Sequence, residues 1–324
     1  MHRRTMIKAL AAAGAVALPH LARAQSWPNR PIRLIDAYPP GGSTDTILRL
    51  IAPHLQNALG QPVLVENRPG ASGNIGAQAC ASAAPDGHTF LLASNSMLTA
   101  NPHLFDKARV DPFTDLALIS PVANIGIVLV TQANSPWTDF REFLAQVKRD
   151  TGKLAFGSPG VGTPMHLIGE MIKESGNANM LHVPYKGGAP LVTDVVAGHV
   201  PVGLVAHSVV AGFIEQGRLR ALAAGGSTRL AALPNVPVVA EVIPGADLGA
   251  WCGLVAPPKT PAQFCERMAL EITTAMQRSD VVSKLRPLGL DRIAGNANAF
   301  TGMVKSEYAR VGALIKHLGI SLTI

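Results

Sequence analysis

Short apolar runs alternate with longer amphipathic ones along this chain, the pattern of strands joined by helices. Pro31 to Ala37 reads as a strand and Pro39-Pro40-Gly41-Gly42-Ser43 as a turn. Thr44 to Leu59 then places Ile47, Leu48, Ile51, Leu55 and Leu59 on one helical face, and Gly60 ends that helix. Val63 to Glu66 is the next strand and Arg68 to Gly73 a loop. Ile75 to Ala84 is a helix halted by Pro85-Asp86-Gly87, and Thr89 to Ala93 a third strand that runs into the polar loop Ser94-Asn95-Ser96. The middle of the chain repeats this grammar. Ile125 to Thr131 and Leu154 to Gly157 are strands on either side of a helix from Thr138 to Asp150. The loop Ser158-Pro159-Gly160-Val161-Gly162 follows, and Thr163-Pro164 opens the next helix. Met180 to Pro184, Val200 to Val205 and Ala221 to Ala224 are further strands, with Lys186 to Pro190 a loop and Leu191 to Ala197 a helix. A last strand surrounds Trp251 to Val255, and helices lie near Pro261 to Arg278 and Asn298 to His317.

This order predicts an α/β fold with mostly parallel sheets flanked by helices. About 300 residues exceed what one compact core organises, so two lobes are expected. Residues 25–125 and 248–324 form the first lobe and residues 126–247 the second, with crossings near Val122 to Gly126 and Ala246 to Gly249. In such sheets ligands lie beyond the carboxyl ends of strands, where loops lead into helix starts. The loop from Pro39 to Asp45 fits that position. Its glycines let a backbone approach a ligand closely, and the N–H groups of the following helix favour an anion. The alternative is that Ser43, Thr44 or Asp45 caps the helix and the glycines only make the turn; Asp45, which would repel an anion, reads as a cap or backbone brace. Ser158 to Thr163 has the same form in the second lobe, with Thr163 as N-cap. Two facing helix starts of this kind clamp one acid group between them.

Composition narrows the function. Arg3, Arg4 and Lys8 precede an apolar run from Ala9 to Leu18, and Ala22-Arg23-Ala24 has a small-x-small form. Residues 1–24 therefore read as a secretory leader, and the Arg3-Arg4 pair leaves both the twin-arginine and the general export route open. The run is too short to span a bilayer, so a periplasmic chain without an anchor is expected. Removing Arg3, Arg4, Lys8 and Arg23 from 28 Lys+Arg leaves 24 against 21 Asp+Glu, a net charge of +3 with no basic concentration, which argues against nucleic acid. Cys80, Cys252 and Cys265 are too few and scattered for a metal cluster; free buried thiols and a Cys252–Cys265 bridge both stay open. Gly70, Gly73 and Gly76, and Gly160-Val161-Gly162, lack the G-x-G-x-x-G spacing of a dinucleotide site. The chain also carries no G-x-S-x-G, P-loop or H-E-x-x-H. His166 and Glu170 share a helical face but fall short of a zinc site, and read as a packing and surface pair. No enzyme, cofactor or metal is predicted.

Several strings occur here in order: Pro39 to Asp45, Glu66-Asn67-Arg68-Pro69-Gly70, Gly73-Asn74-Ile75-Gly76, Pro85-Asp86-Gly87, Asn101-Pro102, His182-Val183-Pro184-Tyr185-Lys186-Gly187, Leu219-Arg220-Ala221-Leu222 and Leu233-Pro234-Asn235-Val236-Pro237. Together they resemble the Bug-type substrate-binding proteins of tripartite tricarboxylate transporters. The resemblance implies a periplasmic, two-lobed, type II-like binding protein, monomeric, that captures a small carboxylate between its lobes and delivers it to membrane permease subunits. A sensory module signalling to a receptor kinase would use the same cleft. Carried over by that resemblance, one carboxylate is held by Tyr38, Gly42, Ser43, Thr44, Asn95 and Ser96 from the first lobe. The second lobe contributes Ser158, Gly160, Gly162 and Thr163, with Tyr185 as either a cleft wall or a buried structural tyrosine. Val205 stands where family members often carry an Asp, so the resemblance predicts against amino-acid ligands and for a carboxylate with an apolar or aromatic remainder. His207 is read either as a contact to a second carboxylate or as a surface residue.

Overall fold

A computed structural model describes residues 27–105, 110–149 and 154–321; the leader expected over residues 1–24 lies outside them. The chain order begins β1 (Ile32–Asp36), α1 (Ser43–Leu59), β2 (Val63–Asn67), α2 (Asn74–Ala81), β3 (Thr89–Ser94), α3 (Asn101–Leu104), β4 (Ala117–Ile125) and β5 (Ile127–Gln132). It continues through α4 (Phe140–Arg149), β6 (Ala155–Ser158), α5 (Pro164–Ser175), β7 (Leu181–Pro184), α6 (Gly188–Ala197), β8 (Val202–Ala206), α7 (His207–Glu215) and β9 (Leu219–Ala224). It ends with β10 (Ala250–Ala256), α8 (Ala262–Gln277), α9 (Ser279–Leu285), β11 (Leu290–Arg292) and α10 (Ala297–His317).

The apolar periodicity accounts for the packing. Ile47, Leu48, Ile51 and Leu55 are fully buried beneath α1 against Leu34 of β1 and Phe90 of β3, each such side chain contributing about 1.5–3 kcal/mol relative to exposure. Gly60 closes α1 in a left-handed conformation, its N–H donating to the Gln56 carbonyl. One sheet has the order β11-β4-β10-β3-β1-β2 and the other β7-β6-β8-β5-β9.

The sheets are mixed, which corrects the expectation that they are mostly parallel. β1 pairs in parallel with β2 and β3, and β6 with β7 and β8, because helices return the chain between them. β10 is antiparallel to β3 and β4, β11 to β4, and β5 to β8 and β9. The reason is where these strands start. β5 leaves the first sheet through Gly126 and enters the second at the end where β8 finishes, Ile127 opposite Ala206. β10 enters the first sheet beside the end of β4, Ala250 opposite Ile125. β5, β10 and β11 each start at the crossing and run away from it, whereas β3, β4, β8 and β9 run back towards it. The single run read from Ile125 to Thr131 is thus two strands in different sheets, and the stretch ahead of it, Ala117 onward, is a strand the apolar pattern did not distinguish.

The crossing is tied by backbone bonds. Gly126 N–H donates to the Gly289 carbonyl, and His207 N–H to the Gly126 carbonyl.

Candidate functional site

Between the sheets lies a cleft of about 780 Å³ including its open mouth, walled by the carboxyl ends of β1, β3 and β8 and the starts of α1, α5 and α6. Tyr38, Gly42, Ser43, Thr44, Asn95, Ser96, Thr163 and Val205 line it. Ser158, Gly160, Gly162 and Tyr185 do not, and each has a reason.

The first-lobe wall begins where β1 ends. Gly41 takes φ +85°, a conformation that strains any other residue, and its N–H donates to Asp45 Oδ2 at 2.9 Å. Asp45 is thereby turned back from the cleft as a brace. Burial works against its ionisation, but Arg49, the Gly41 N–H and the Asn67 amide outweigh it and hold the carboxyl below its usual range. Gly42 is the N-cap of α1 and has no side chain with which to cap it. The first N–H groups of the helix, those of Ser43 and Thr44, are therefore left to the cleft. The side chains are committed elsewhere. Thr44 Oγ1 donates to Asp36 Oδ1 at 2.8 Å, and Ser43 Oγ meets Ser208 Oγ of the second lobe at 2.8 Å. Asp36 is fully buried below the loop; desolvation pushes its carboxyl up to about 7, against the Thr44 hydroxyl and the Tyr38 N–H, which favour the ionised form.

Tyr38, Ser94 and Ser96 join their hydroxyls in a triangle with sides of 2.8, 2.9 and 3.2 Å. Asn95 behaves differently from expectation. Its Nδ2 gives one bond to the Gly249 carbonyl (3.0 Å) and one to Glu307 Oε1 (2.7 Å), so its side chain presents only an acceptor to the cleft. Trp251 Nε1 is likewise taken by Glu307 Oε2 at 2.6 Å. Burial raises the Glu307 carboxyl despite these donors. The predicted polar loop Ser94-Asn95-Ser96 runs at Ser96 into a buried π-helical turn, Ser96–Ala100, which Met97, Leu98 and Ala100 anchor in the core.

The second lobe departs further. Thr163 caps α5 by accepting from the His166 N–H, as its position predicts. Around it, however, the loop satisfies itself. Gly160 N–H donates to Ser158 Oγ, Gly162 N–H to His166 Nδ1, and Thr163 N–H to the Gly160 carbonyl. Ser158 is fully buried and bonded to His182 Nε2 at 2.7 Å. These glycines thus have no amide left for a ligand. Tyr185 is a structural tyrosine behind the loop: its hydroxyl donates to Asp194 Oδ2 at 2.6 Å, and burial together with that carboxylate pushes its ionisation up to about 12.

The helix start that faces α1 is that of α6. Lys186, Gly187, Gly188, Ala189 and Pro190 line the cleft. Gly187, at φ +114°, is an N-cap without a side-chain cap, and its own N–H goes to the Pro159 carbonyl, leaving those of Gly188 and Ala189. The sequence held a signal for this, since Gly187-Gly188 ahead of a helix repeats Gly41-Gly42. Lys186 is the single charged side chain among the residues lining the cleft.

His207 is neither a cleft residue nor a surface one. It is buried at the crossing, its ring beside Gly289, its Nδ1 without a partner, and burial lowers its basicity although the Leu288 carbonyl opposes this. His166 and Glu170 are 3.7 Å apart, and the His166 ring stacks on that of His182 with centroids 3.9 Å apart. Cys80, Cys252 and Cys265 are free thiols.

A family model described as the tripartite tricarboxylate transporter family receptor matches residues 47–320. Over 301 residues the chain is 34% identical to the protein BugT of Bordetella pertussis, covering 92% of each. Among solved structures it resembles R. palustris Rpa4515 with adipate, at 28% identity and a TM-score of 0.87 over 91% of this chain and 100% of that one. It also resembles MatC from Rhodopseudomonas palustris with bound malate, at 27% identity and a TM-score of 0.83 over 89% and 100%. Since the likeness runs through both sheets and both sides of the cleft, and does not rest on a single loop, the chain belongs to the tripartite tricarboxylate transporter receptor family of two-lobed periplasmic binding proteins.

Proposed function

We propose that this chain is an exported receptor that captures a small carboxylate-bearing solute in its cleft and hands it to a membrane transporter of the tripartite tricarboxylate type. The observation that carries the reading is the pair of uncapped helix starts, α1 and α6, turned to one cleft whose lining residues include no acid. Each offers unspent N–H groups with the positive end of a helix dipole behind them, an arrangement suited to a carboxylate. The Tyr38–Ser94–Ser96 hydroxyls share their O–H groups among themselves, and one that leaves the triangle, most readily across its longest side of 3.2 Å, orients a ligand oxygen directly or through water. The solved relatives bearing adipate and malate support the same chemistry.

Binding is coupled to lobe closure. Ser43 Oγ to Ser208 Oγ, and Ser72 Oγ to the Val161 carbonyl at 3.1 Å, bridge the lobes beside the cleft. A ligand that touches both lobes favours the state in which these bonds exist. Ser158, bonded to His182, is fully buried outside the cleft lining, and the Thr44 hydroxyl is turned to the buried Asp36, so capture and release are the whole of the proposed cycle.

Calorimetry and thermal shift on residues 25–324, refolded to strip any retained solute, test the reading. At a hundredfold excess over Kd a bound acid adds about 2.7 kcal/mol of stability. Silence towards mono-, di- and tricarboxylates alike would refute it. Deleting the gene abolishes cellular uptake of the acid that binds, and N-terminal sequencing of the exported protein finds residues 1–24 removed.

A further inference from the structure

One acid lies behind the cleft without lining it. Glu307 is on α10, and its two carboxylate oxygens are divided between two side chains that do line the cleft. Oε1 accepts from Asn95 Nδ2 at 2.7 Å and Oε2 from Trp251 Nε1 at 2.6 Å. We infer that Glu307 is a positioning residue for the ligand site, locking the Asn95 amide and the Trp251 indole in the orientation a solute meets. This rests on the reading above in so far as the cleft is the ligand site.

Phe300, Val304, Val311 and Ile315 form the buried stripe of α10, and Glu307, between Val304 and Val311, falls within it. An apolar residue there would complete the stripe, whereas a carboxylate gives up part of its water and needs donors in exchange. Its donors among the described residues are Asn95 and Trp251. Thr99 Oγ1 is farther off at 3.4 Å and already donates to the Asn95 carbonyl at 2.8 Å.

The two partners depend on Glu307 in turn. Trp251 is buried, and an indole N–H can only donate. Asn95 is buried too, and its amide has two faces: turned one way it shows a solute two N–H groups, turned the other an oxygen. Glu307 and the Gly249 carbonyl, which takes the other Asn95 N–H at 3.0 Å, are both acceptors, so together they admit one orientation. Without the carboxylate a single neutral bond holds the amide. Order imposed before the solute arrives is order the solute need not supply, and affinity gains by that difference.

Glu307→Gln keeps the shape and leaves one acceptor for two donors. The indole, able only to donate, keeps the Gln oxygen, and Asn95 is released. In proton–nitrogen NMR spectra of the unliganded protein, the Trp251 indole signal, assigned through Trp251→Phe, is expected to move upfield in Glu307→Gln as its acceptor loses charge, while those of Trp27 and Trp137 stay. Calorimetry uses benzoate, adipate, malate and citrate as probes. Each acid that binds the parent is expected to bind Glu307→Gln about fivefold more weakly. In an Asn95→Ala background the same substitution is expected to cost less than about twofold, since the side chain it acts through is gone; a residue serving stability alone would cost the same in both. An unmoved Trp251 signal, unchanged affinity or an equal loss in both backgrounds would each overturn the inference and leave the carboxylate reading standing. If none of the four acids binds the parent, the carboxylate reading falls and this one with it. Should Glu307→Gln not fold, Glu307→Asp, which keeps the charge but withdraws it by one methylene, is read in its place, with the same displacement of the indole signal expected.

Discussion

Two loops of this protein share one sequence grammar and do opposite things. Pro39-Pro40-Gly41-Gly42 leads into α1, and Ser158-Pro159-Gly160-Val161-Gly162 leads towards α5; both follow a strand and precede a helix. In the first, the cap position is Gly42 and the helix amides stay open to the cleft. In the second, Thr163 caps its helix, and Ser158, His166 and the Gly160 carbonyl absorb the amides of the loop. The supports differ too. A buried acid, Asp36, lies under the first loop and a stacked pair of imidazoles, His166 and His182, under the second. A glycine-rich helix start is thus an anion site only when nothing local has already used its donors.

The strongest way to break this contrast is to give the first loop a cap. Gly42 lies at φ −77°, ψ 173°, which any residue adopts, and a Cβ there meets only the Pro39 carbonyl at 3.6 Å. Gly42→Asp supplies a carboxylate that bonds the α1 amides itself. Carboxylate affinity is expected to fall by about a hundredfold, by calorimetry, from the lost donors and the added repulsion. The melting temperature stays level or rises. The mirror experiment is Thr163→Ala. It removes an existing cap and is expected to cost about 1 kcal/mol in denaturant unfolding, with ligand affinity changed less than about threefold.

Titration sharpens the same comparison. Asp36 has its carboxyl raised to about 7 in the fold, so its contribution is complete below the unfolded value near 3.8 and is lost as pH rises through 7. His182 has its imidazole lowered to about 3, first by burial and then by His166, so its contribution is present above the ordinary value near 6.5 and is lost as pH falls towards 3. Between about pH 4 and 6.5 the two slopes oppose each other, neither exceeding about 1.4 kcal/mol per pH unit. Asp36→Asn is expected to steepen the loss of stability on acidification relative to the parent. His182→Gln is expected to do the reverse. Melting curves from pH 4 to 7 read both, and parallel shifts in the two variants would disprove the assignment.

The smallest effect concerns Lys186, the exposed cation at the cleft. An exposed charge acts on encounter more than on the bound state, and salt screens it. Lys186→Gln is expected to slow association of a carboxylate about twofold at low ionic strength and not at all at high salt, by stopped-flow tryptophan fluorescence, with little change in dissociation.

Much of the fold was legible in the residues. The apolar face of α1 and its glycine stop lie within one residue of where periodicity and turn chemistry put them, because both act over a few positions. The first-lobe cleft loop was legible for the same reason. The buried π-helical turn after Asn95 was not, since its residues are held by the core and not by a local pattern. Nor was the role of Lys186 to Pro190, although Gly187-Gly188 carried the cue.

By itself, the sequence determined most of the strands and helices, though not, for instance, β4, α7, α9 or β11, together with the glycine turns that let backbone approach a ligand and the ordered motifs that mark the family. Tertiary structure alone decided which strands run antiparallel, which helix faces α1, and which N–H groups remain free. The reason is the range of the forces involved. A helix is specified by neighbours three and four residues away, whereas Ser43 meets Ser208, Asn95 meets Glu307 and Gly126 meets Gly289 only once the lobes are assembled. Whether a donor is spent depends on those distant partners, and no local pattern records them.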